Sequence, residues 1–341
     1  MQKVSIVLLS WNSLKFLKQF LPVLISHTPC ELAKIIVVDN GSTDGTVDWL
    51  VREHSGIECV VFDHNLGYAG GYHRALKSIV TPYAVLLNSD VEVIPGWISG
   101  LLDFMEAHPK AGAVAPKILG YDDREHFEYA GAAGGWIDRF GFPFCRGRIF
   151  SSIEKDTNQF NVPEKVFWAS GACLMVRMEC YRQAGEIDPL FFAHMEEIDL
   201  CWRIHAVRFE VWYYPHTSVF HVGGGTLPNE SPYKLFLNFR NNLLLLHKNL
   251  PRRSKKLILF TRRLFDWAAA LQYLVRGKVA NFKAVVRAHK ESRLMRKQYY
   301  SDYQGPIEEQ PTRITGFYNG SIVFGFFLRG VRFFSDLRTQ R

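Results

Sequence analysis

The chain has 341 residues, 48% hydrophobic and 22% charged, a globular composition that excludes a disordered chain, a collagen-like repeat and a small disulfide scaffold. The length allows two domains, or one large α/β domain with an appendage. The net charge of +8 is uneven: residues 240–341 carry 21 basic and 6 acidic side chains, a balance of +15, which leaves −7 for the part before them.

In chain order, MQKVSIVLLSWN opens with an apolar run too short for a signal-peptide core and without a small-residue cleavage site, so it is expected to be a buried first strand. VSIVLLS, KIIVVDN, ECVVF and YAVLLNS predict four strands, separated by helical patterns around Leu14 to Ser26, Thr46 to Arg52, Gly70 to Ser78 and Gly96 to Ala107. Such alternation predicts a parallel sheet covered on both faces. From Ala111 the pattern loosens, and GAAGGWIDRFGFPFCRGR predicts a loop or hairpin over a site. VFWASGACLMVR predicts a strand returning to the sheet, MEEIDLCWRIHA a short helix with an acidic start, and VWYYPHTSVFHVGGGT a strand ending in glycines. The six cysteines form no C-x-x-C pair, so neither a zinc ribbon nor a redox dithiol is expected.

The basic tail holds no stretch near the ~20 uninterrupted apolar residues that span a bilayer; residues 257–275 are broken by Arg262, Arg263 and Asp266, and residues 322–334 by Arg329 and Arg332. KKLILFTRRLFDW and FKAVVRAHKESRLMRK interleave cations with apolar residues at roughly helical spacing, which suits an amphipathic helix on an anionic membrane. A solvated basic face is the plain alternative. Nucleic acid is not the expected partner, because no helix-turn-helix, zinc-finger or RRM signature is present.

Ligands of open α/β sheets collect at the carboxyl ends of the strands, here SWNS, DNGSTDGT, DHNLGYAGG and NSDVEV. Asp39 closes the second strand; turn chemistry explains it, and so does reception of the imide N–H of a uracil or thymine ring. Gly67, Gly70 and Gly71 precede a helix, either for tight packing or for close approach to an anion, with Arg74 just inside the helix. No P-loop is present. Asp90 and Glu92 repeat at the two-residue period of an extended chain, and two carboxylates on one side suit Mg²⁺ or Mn²⁺. His194, Glu196, Glu197 and Asp199 gather at a helix start, where acids complement the dipole and can also act as a general base. His221 ends an apolar strand as a structural histidine or a metal ligand.

In this order the motifs resemble the family-2 inverting glycosyltransferases of GT-A fold, closest to the rhamnosyltransferase-like branch of bacterial envelope polysaccharide synthesis. The resemblance covers roughly residues 3–248, through VSIVLLSWNS, IIVVDNGSTDGT, NLGYAGGYHRAL, LLNSDVEVIPGWI, GAVAPKIL, WASGACLMVR, GEIDPLFFAHMEEIDLCWR and HVGGGT. It implies an α/β catalytic domain over residues 1–248, with a Rossmann-like, mostly parallel sheet, and a basic helical extension over 249–341.

It also implies a nucleotide-sugar donor, dTDP-rhamnose in this branch or a UDP-sugar, a lipid-linked or polysaccharide acceptor, and a cytoplasmic enzyme peripheral on the inner membrane face. A non-catalytic nucleotide-sugar binding module is the alternative of another class. Carried position by position, Ser10, Trp11, Asn12, Asp39, Asn65, Gly67, Gly70, Arg74 and Asn88 belong to the donor nucleotide, and Asp90, Glu92 and His221 to Mg²⁺ or Mn²⁺. Glu197 is the base, with Glu196 and Asp199 as alternates, and Trp168 and Ser170, Gly171 and Ala172 form the acceptor wall. Glu92 and Glu197 stand where the family more often has aspartate, and Tyr72 and His73 where asparagines are frequent.

Overall fold

Strand β1 (Val4–Ser10) runs between β2 (Ala33–Asp39) and β4 (Tyr83–Asn88), parallel to both, and β3 (Glu58–Val61) extends the sheet beyond β2. These are four expected strands, and their Val, Ile and Leu runs are apolar on both faces because helices cover both sides. The computed structural model describes residues 2–223, 231–297 and 314–337. The connecting helices are α1 (Leu14–Ser26), α2 (Thr46–Glu53), α3 (Gly67–Leu76) and α4 (Trp97–Ala107). Helix α3 starts three residues before the expected Gly70. Gly67 has φ +72°, and a Cβ there would lie 2.4 Å from the Phe192 carbonyl oxygen, so a close approach of two chain segments fixes that start.

Past α4 the sheet mixes directions. After the short β5 (Val91–Val93), β6 (Ala111–Gly120) forms a ten-residue buried strand where the sequence pattern only loosens. Its small residues and Pro116 hide the β-branched signature, and its partner strand bulges between Tyr214 and Ser218, opposite that proline, which has no N–H to donate. The hairpin region contributes β7 (Gly135–Asp138), β8 (Pro143–Cys145), β9 (Arg148–Ile149) and β10 (Ser152–Ile153), and β11 (Glu164–Lys165) and β12 (Cys173–Arg177) return to the main sheet. After α5 (Met178–Gln183) and α6 (Glu196–Ala206) comes β13 (Glu210–His221). The main sheet then reads β11-β13-β6-β12-β4-β1-β2-β3, with β5 paired to β13. The glycines Gly224 to Gly225 and Thr226, expected after β13, lie outside the described residues.

Helices α7 (Pro232–Asn249), α8 (Arg252–Val275) and α9 (Val279–Met295) follow. The expected domain boundary after residue 248 falls in the last turn of α7. The tail is not wholly helical: β14 (Phe317–Tyr318) joins β7 in parallel, and α10 (Ile322–Arg329) buries Ile322 and Phe326 with Phe144 and Ile149. Among the described residues, no helix is long and apolar enough to cross a membrane.

Candidate active site

The carboxyl ends of β1 and β2 are tied by Asn12, held at φ 49°: its backbone N–H donates to Ser42 Oγ (2.9 Å) and its Oδ1 accepts from the Thr43 N–H (2.8 Å). Ser10 is buried against Ser13, Oγ to Oγ 2.7 Å, while Trp11 is exposed. Asp39 accepts from the Ser42 N–H (2.9 Å) through Oδ2, whereas its Oδ1 is buried with no hydrogen-bond partner among the described residues. A buried, unpaired carboxylate oxygen is costly, and a ligand N–H would relieve it. Asn40, expected only as a turn residue after Asp39, donates to Asn65 Oδ1 and the Gly67 carbonyl, both 3.1 Å.

The glycines of α3 serve packing. A Cβ on Gly71 would meet the Leu9 side chain at 2.7 Å. Arg74 covers the Phe62 ring at 4.4 Å and faces Asp63 at 3.7 Å, beside a pocket lined by Val38, Val60 and Ala75. Among the described residues, Arg74 forms its ion pair with Asp63 and not with Asp90, Glu196 or Glu197.

At the end of β4, Asp90 Oδ1 lies 3.2 Å from His221 Nε2, and Asn88 Nδ2 lies 3.3 Å from the same nitrogen. The other ring nitrogen of His221 faces Glu128 Oε1 at 3.4 Å. Burial opposes a charge on this histidine, but the two carboxylates outweigh it and raise the imidazole to about 10. Glu92 turns elsewhere: Arg124, stacked on Phe220 at 4.2 Å, holds it at 2.9 Å. The two carboxylates expected to share one cation thus have different partners, because β5 pairs Glu92 with Phe220 and Val91 with His221. Among the described residues, no group of three or more histidine, cysteine or acidic side chains is arranged to hold a metal ion by itself. Asp90 and His221 nonetheless offer an oxygen and an imidazole nitrogen side by side, which fits a divalent cation that takes its remaining ligands from phosphates and water. Glu128 had no signal in sequence, since it follows no motif and reaches His221 only through the fold.

The second group sits at the start of α6. Phe192, His194 and Met195 all have positive φ, a run of strained backbone that L-residues keep only when surroundings impose it. Helix α7 imposes it. Asn241 Nδ2 lies 2.7–2.8 Å from the carbonyl oxygens of Phe191, Ala193 and His194, and Arg240 donates to Phe191 at 2.8 Å. The loop delivers Glu196 and Glu197, each with a buried Oε2 lacking a hydrogen-bond partner among the described residues. Burial raises Glu197 to about 7, and burial together with Glu197 raises Glu196 well above the usual carboxylate range.

Asp199, the third candidate, is a structural anchor. Arg203, Lys248 and Asn249 hold its two oxygens at 2.7–2.9 Å. Burial works against its charge, but Arg203 and Lys248 prevail and lower it to about 2.

The acceptor-side residues divide. Trp168 is buried and donates through Nε1 to the Trp136 carbonyl at 3.0 Å, so it supports the β7–β8 hairpin from inside. Ser170 donates to the Ala130 carbonyl and accepts from the Ala172 N–H. Gly171 differs, because its carbonyl accepts from Tyr68 Oη at 2.7 Å. Burial, then Tyr72, then Glu196 and Glu197 raise the Tyr68 phenol. Burial raises the Cys145 thiol on β8 against the opposing pull of Arg148.

The sequence profile described as Glycosyl transferase family 2 matches residues 5–185, more than half of the chain. The chain belongs to glycosyl transferase family 2. Within it, the chain is 27% identical over 264 residues to an N-acetylglucosaminyl-diphospho-decaprenol L-rhamnosyltransferase of Mycobacterium tuberculosis, covering 72% of this chain and 80% of that protein. It is 24% identical over 222 residues to the hexosyltransferase Agl10 of low-salt glycan biosynthesis in Haloferax volcanii, covering 62% and 67%. Among solved structures, it superposes with a TM-score of 0.56 and 14% identity on GalNAc-T7 with UDP, GalNAc and Mn²⁺, over 74% of this chain and 49% of that one. With S. aureus TarS 1-349 in complex with UDP-GlcNAc, the TM-score is 0.53 at 16% identity, over 86% and 80%. These likenesses establish the GT-A fold for this family-2 transferase.

Proposed function

We propose that this family-2 glycosyltransferase moves rhamnose from dTDP-rhamnose to a hydroxyl of a lipid-diphosphate-linked glycan, with inversion, at the cytoplasmic membrane face. The observation that carries the catalytic reading is Glu197: a half-buried side chain at a helix start, raised to about 7, whose Oε2 is buried without a hydrogen-bond partner among the described residues. The rhamnosyltransferase relative supports the donor and the lipid-linked acceptor.

The acceptor hydroxyl oxygen forms the new bond to the anomeric carbon while the bond from that carbon to the diphosphate oxygen breaks. The hydroxyl proton passes to Glu197. A carboxylate near 7 is a stronger base than an ordinary glutamate, although still too weak to ionise an alcohol beforehand, so proton transfer accompanies bond formation. Asp39 Oδ1 would accept the imide N–H of the pyrimidine. Asp90 and His221 would hold Mg²⁺ or Mn²⁺, the imidazole giving up its proton on ligation; when bound, the ion neutralises charge on the departing diphosphate.

The test is calorimetric binding of dTDP, UDP and GDP with and without Mn²⁺, followed by transfer from the matching sugar donor and assignment of the product anomer. Binding of dTDP and an inverted rhamnoside are expected. Selective UDP binding would replace rhamnose by a UDP-sugar, and binding of none would favour a non-catalytic module.

A further inference from the structure

Helix α8 is built inside out. Its buried face carries an ion pair, Arg262 Nε to Asp266 Oδ1 at 2.8 Å, between Leu259 and Ala270. Its outer face carries Leu257, Phe260, Leu264, Trp267, Leu271 and Leu274, which are 42–70% exposed. These six positions advance in alternating steps of three and four residues, so they form one stripe along the helix. An exposed apolar stripe of this length marks an interaction surface.

The surrounding charge selects the occupant. Arg252, Arg253, Lys256 and Arg263 are exposed on the same helix, and its single acid, Asp266, is buried against Arg262. Helix α10 lies alongside, with Phe324 edge-on to Phe265 at 5.4 Å between ring centroids; it exposes Phe327 and Leu328 next to Arg329. The alternating spacing also fits a coiled coil, but two copies would set cations against cations along the seam with no acid to pair them. Anionic lipid headgroups match every one of these cations while the acyl region takes the apolar stripe.

We infer that the outer face of α8, flanked by α10, lies on an anionic lipid surface. No described helix can cross the bilayer, so the attachment is in the plane of the interface. The inference deepens the membrane-side reading above but rests on this face alone; vesicle binding needs neither nucleotide nor acceptor, so its failure is separable from failure of the transferase reading.

The experiment is flotation of the full chain with vesicles of phosphatidylcholine alone or mixed with phosphatidylglycerol. The chain is expected to float with the mixed vesicles, less so at high salt, and not with phosphatidylcholine. Trp267 emission should shift to the blue on binding, a shift missing in Trp267→Phe. Leu264→Ser with Leu271→Ser should cut partitioning by roughly tenfold or more, and Arg253→Gln, Lys256→Gln and Arg263→Gln together should remove most of the salt dependence. All six positions are exposed, and unchanged melting and nucleotide binding will confirm that the variants fold. Full vesicle binding by the double leucine variant would overturn the inference, as would a wild-type chain that ignores both vesicles. A dimer dispersed by the same two substitutions, without vesicle binding, would assign the face to a second copy.

Discussion

Asn241 Nδ2 lies 2.7 Å from the carbonyl oxygen of His194, so helix α7 grips the strained turn that presents the acids of α6. Through the same side chain it reaches Phe191 and Ala193. Its neighbour Asn242 accepts from Arg262 of α8 and donates to the Gly141 carbonyl at 2.8 Å. The loop that leads into Glu196 and Glu197 is therefore fastened to the helices that follow β13.

Asn241→Ala should lower kcat by roughly 10²-fold, the scale of a displacement of about 1 Å at a reacting group, with donor KM little changed. Each stranded carbonyl adds about 1–3 kcal/mol of instability, so melting must be followed in parallel. An unchanged kcat in a folded variant would show that the loop keeps its shape without α7.

Glu197→Gln should keep donor binding and reduce turnover by roughly 10²–10⁴-fold. Steady-state kinetics with nucleotide calorimetry will decide it, and near-normal turnover would remove Glu197 from the base role.

The pH dependence follows from the same group. The base must be ionised, so kcat/KM should rise with pH through about 7 and level off above it. Stability has the opposite sign. A carboxyl raised on folding binds more protons in the native state between its unfolded and folded values, so its ionisation destabilises the fold as pH rises through that window. Glu197→Gln should therefore raise the melting temperature, relative to wild type, more at pH 8 than at pH 5. Equal shifts at the two pH values would contradict the raised value.

Asp199→Asn should behave differently. Removing a buried charge that holds Arg203 and Lys248 should cost about 3–5 kcal/mol and lower the melting temperature by many degrees. Because Asp199 is lowered to about 2, its stabilisation is complete above the ordinary carboxylate range and fades as pH falls toward 2. A variant with normal melting at pH 7 would refute this anchoring role.

Asp90→Asn should abolish any Mn²⁺ enhancement of nucleotide binding, whereas Glu92→Gln should leave most of it, since Glu92 is committed to Arg124. Calorimetry with and without Mn²⁺ separates the two. Equal losses would put Glu92 back beside the metal.

The elements of the first hundred residues are legible because a parallel strand covered on both faces must be continuously apolar, and its helices must carry a 3.6-residue stripe. Residues at strand ends, such as Asp39, Asp90 and His221, are legible for the same reason: the sheet fixes where each strand stops. Strand β6 is not, because small residues and a proline conceal a strand whose burial comes from its neighbours.

The sequence by itself determined the order of elements in the first hundred residues, the family resemblance and the acids of MEEIDLCWR. It could not rank those acids, since rank depends on partners distant in the chain. Lys248 and Asn249 tie up Asp199, Glu128 joins His221, and Arg124 draws Glu92 away. It read the tail as basic and amphipathic, but only the tertiary structure decided that the apolar side of α8 faces outward. Local chain geometry sets periodicity, whereas solvation and charge pairing are set by contacts between segments that only folding brings together.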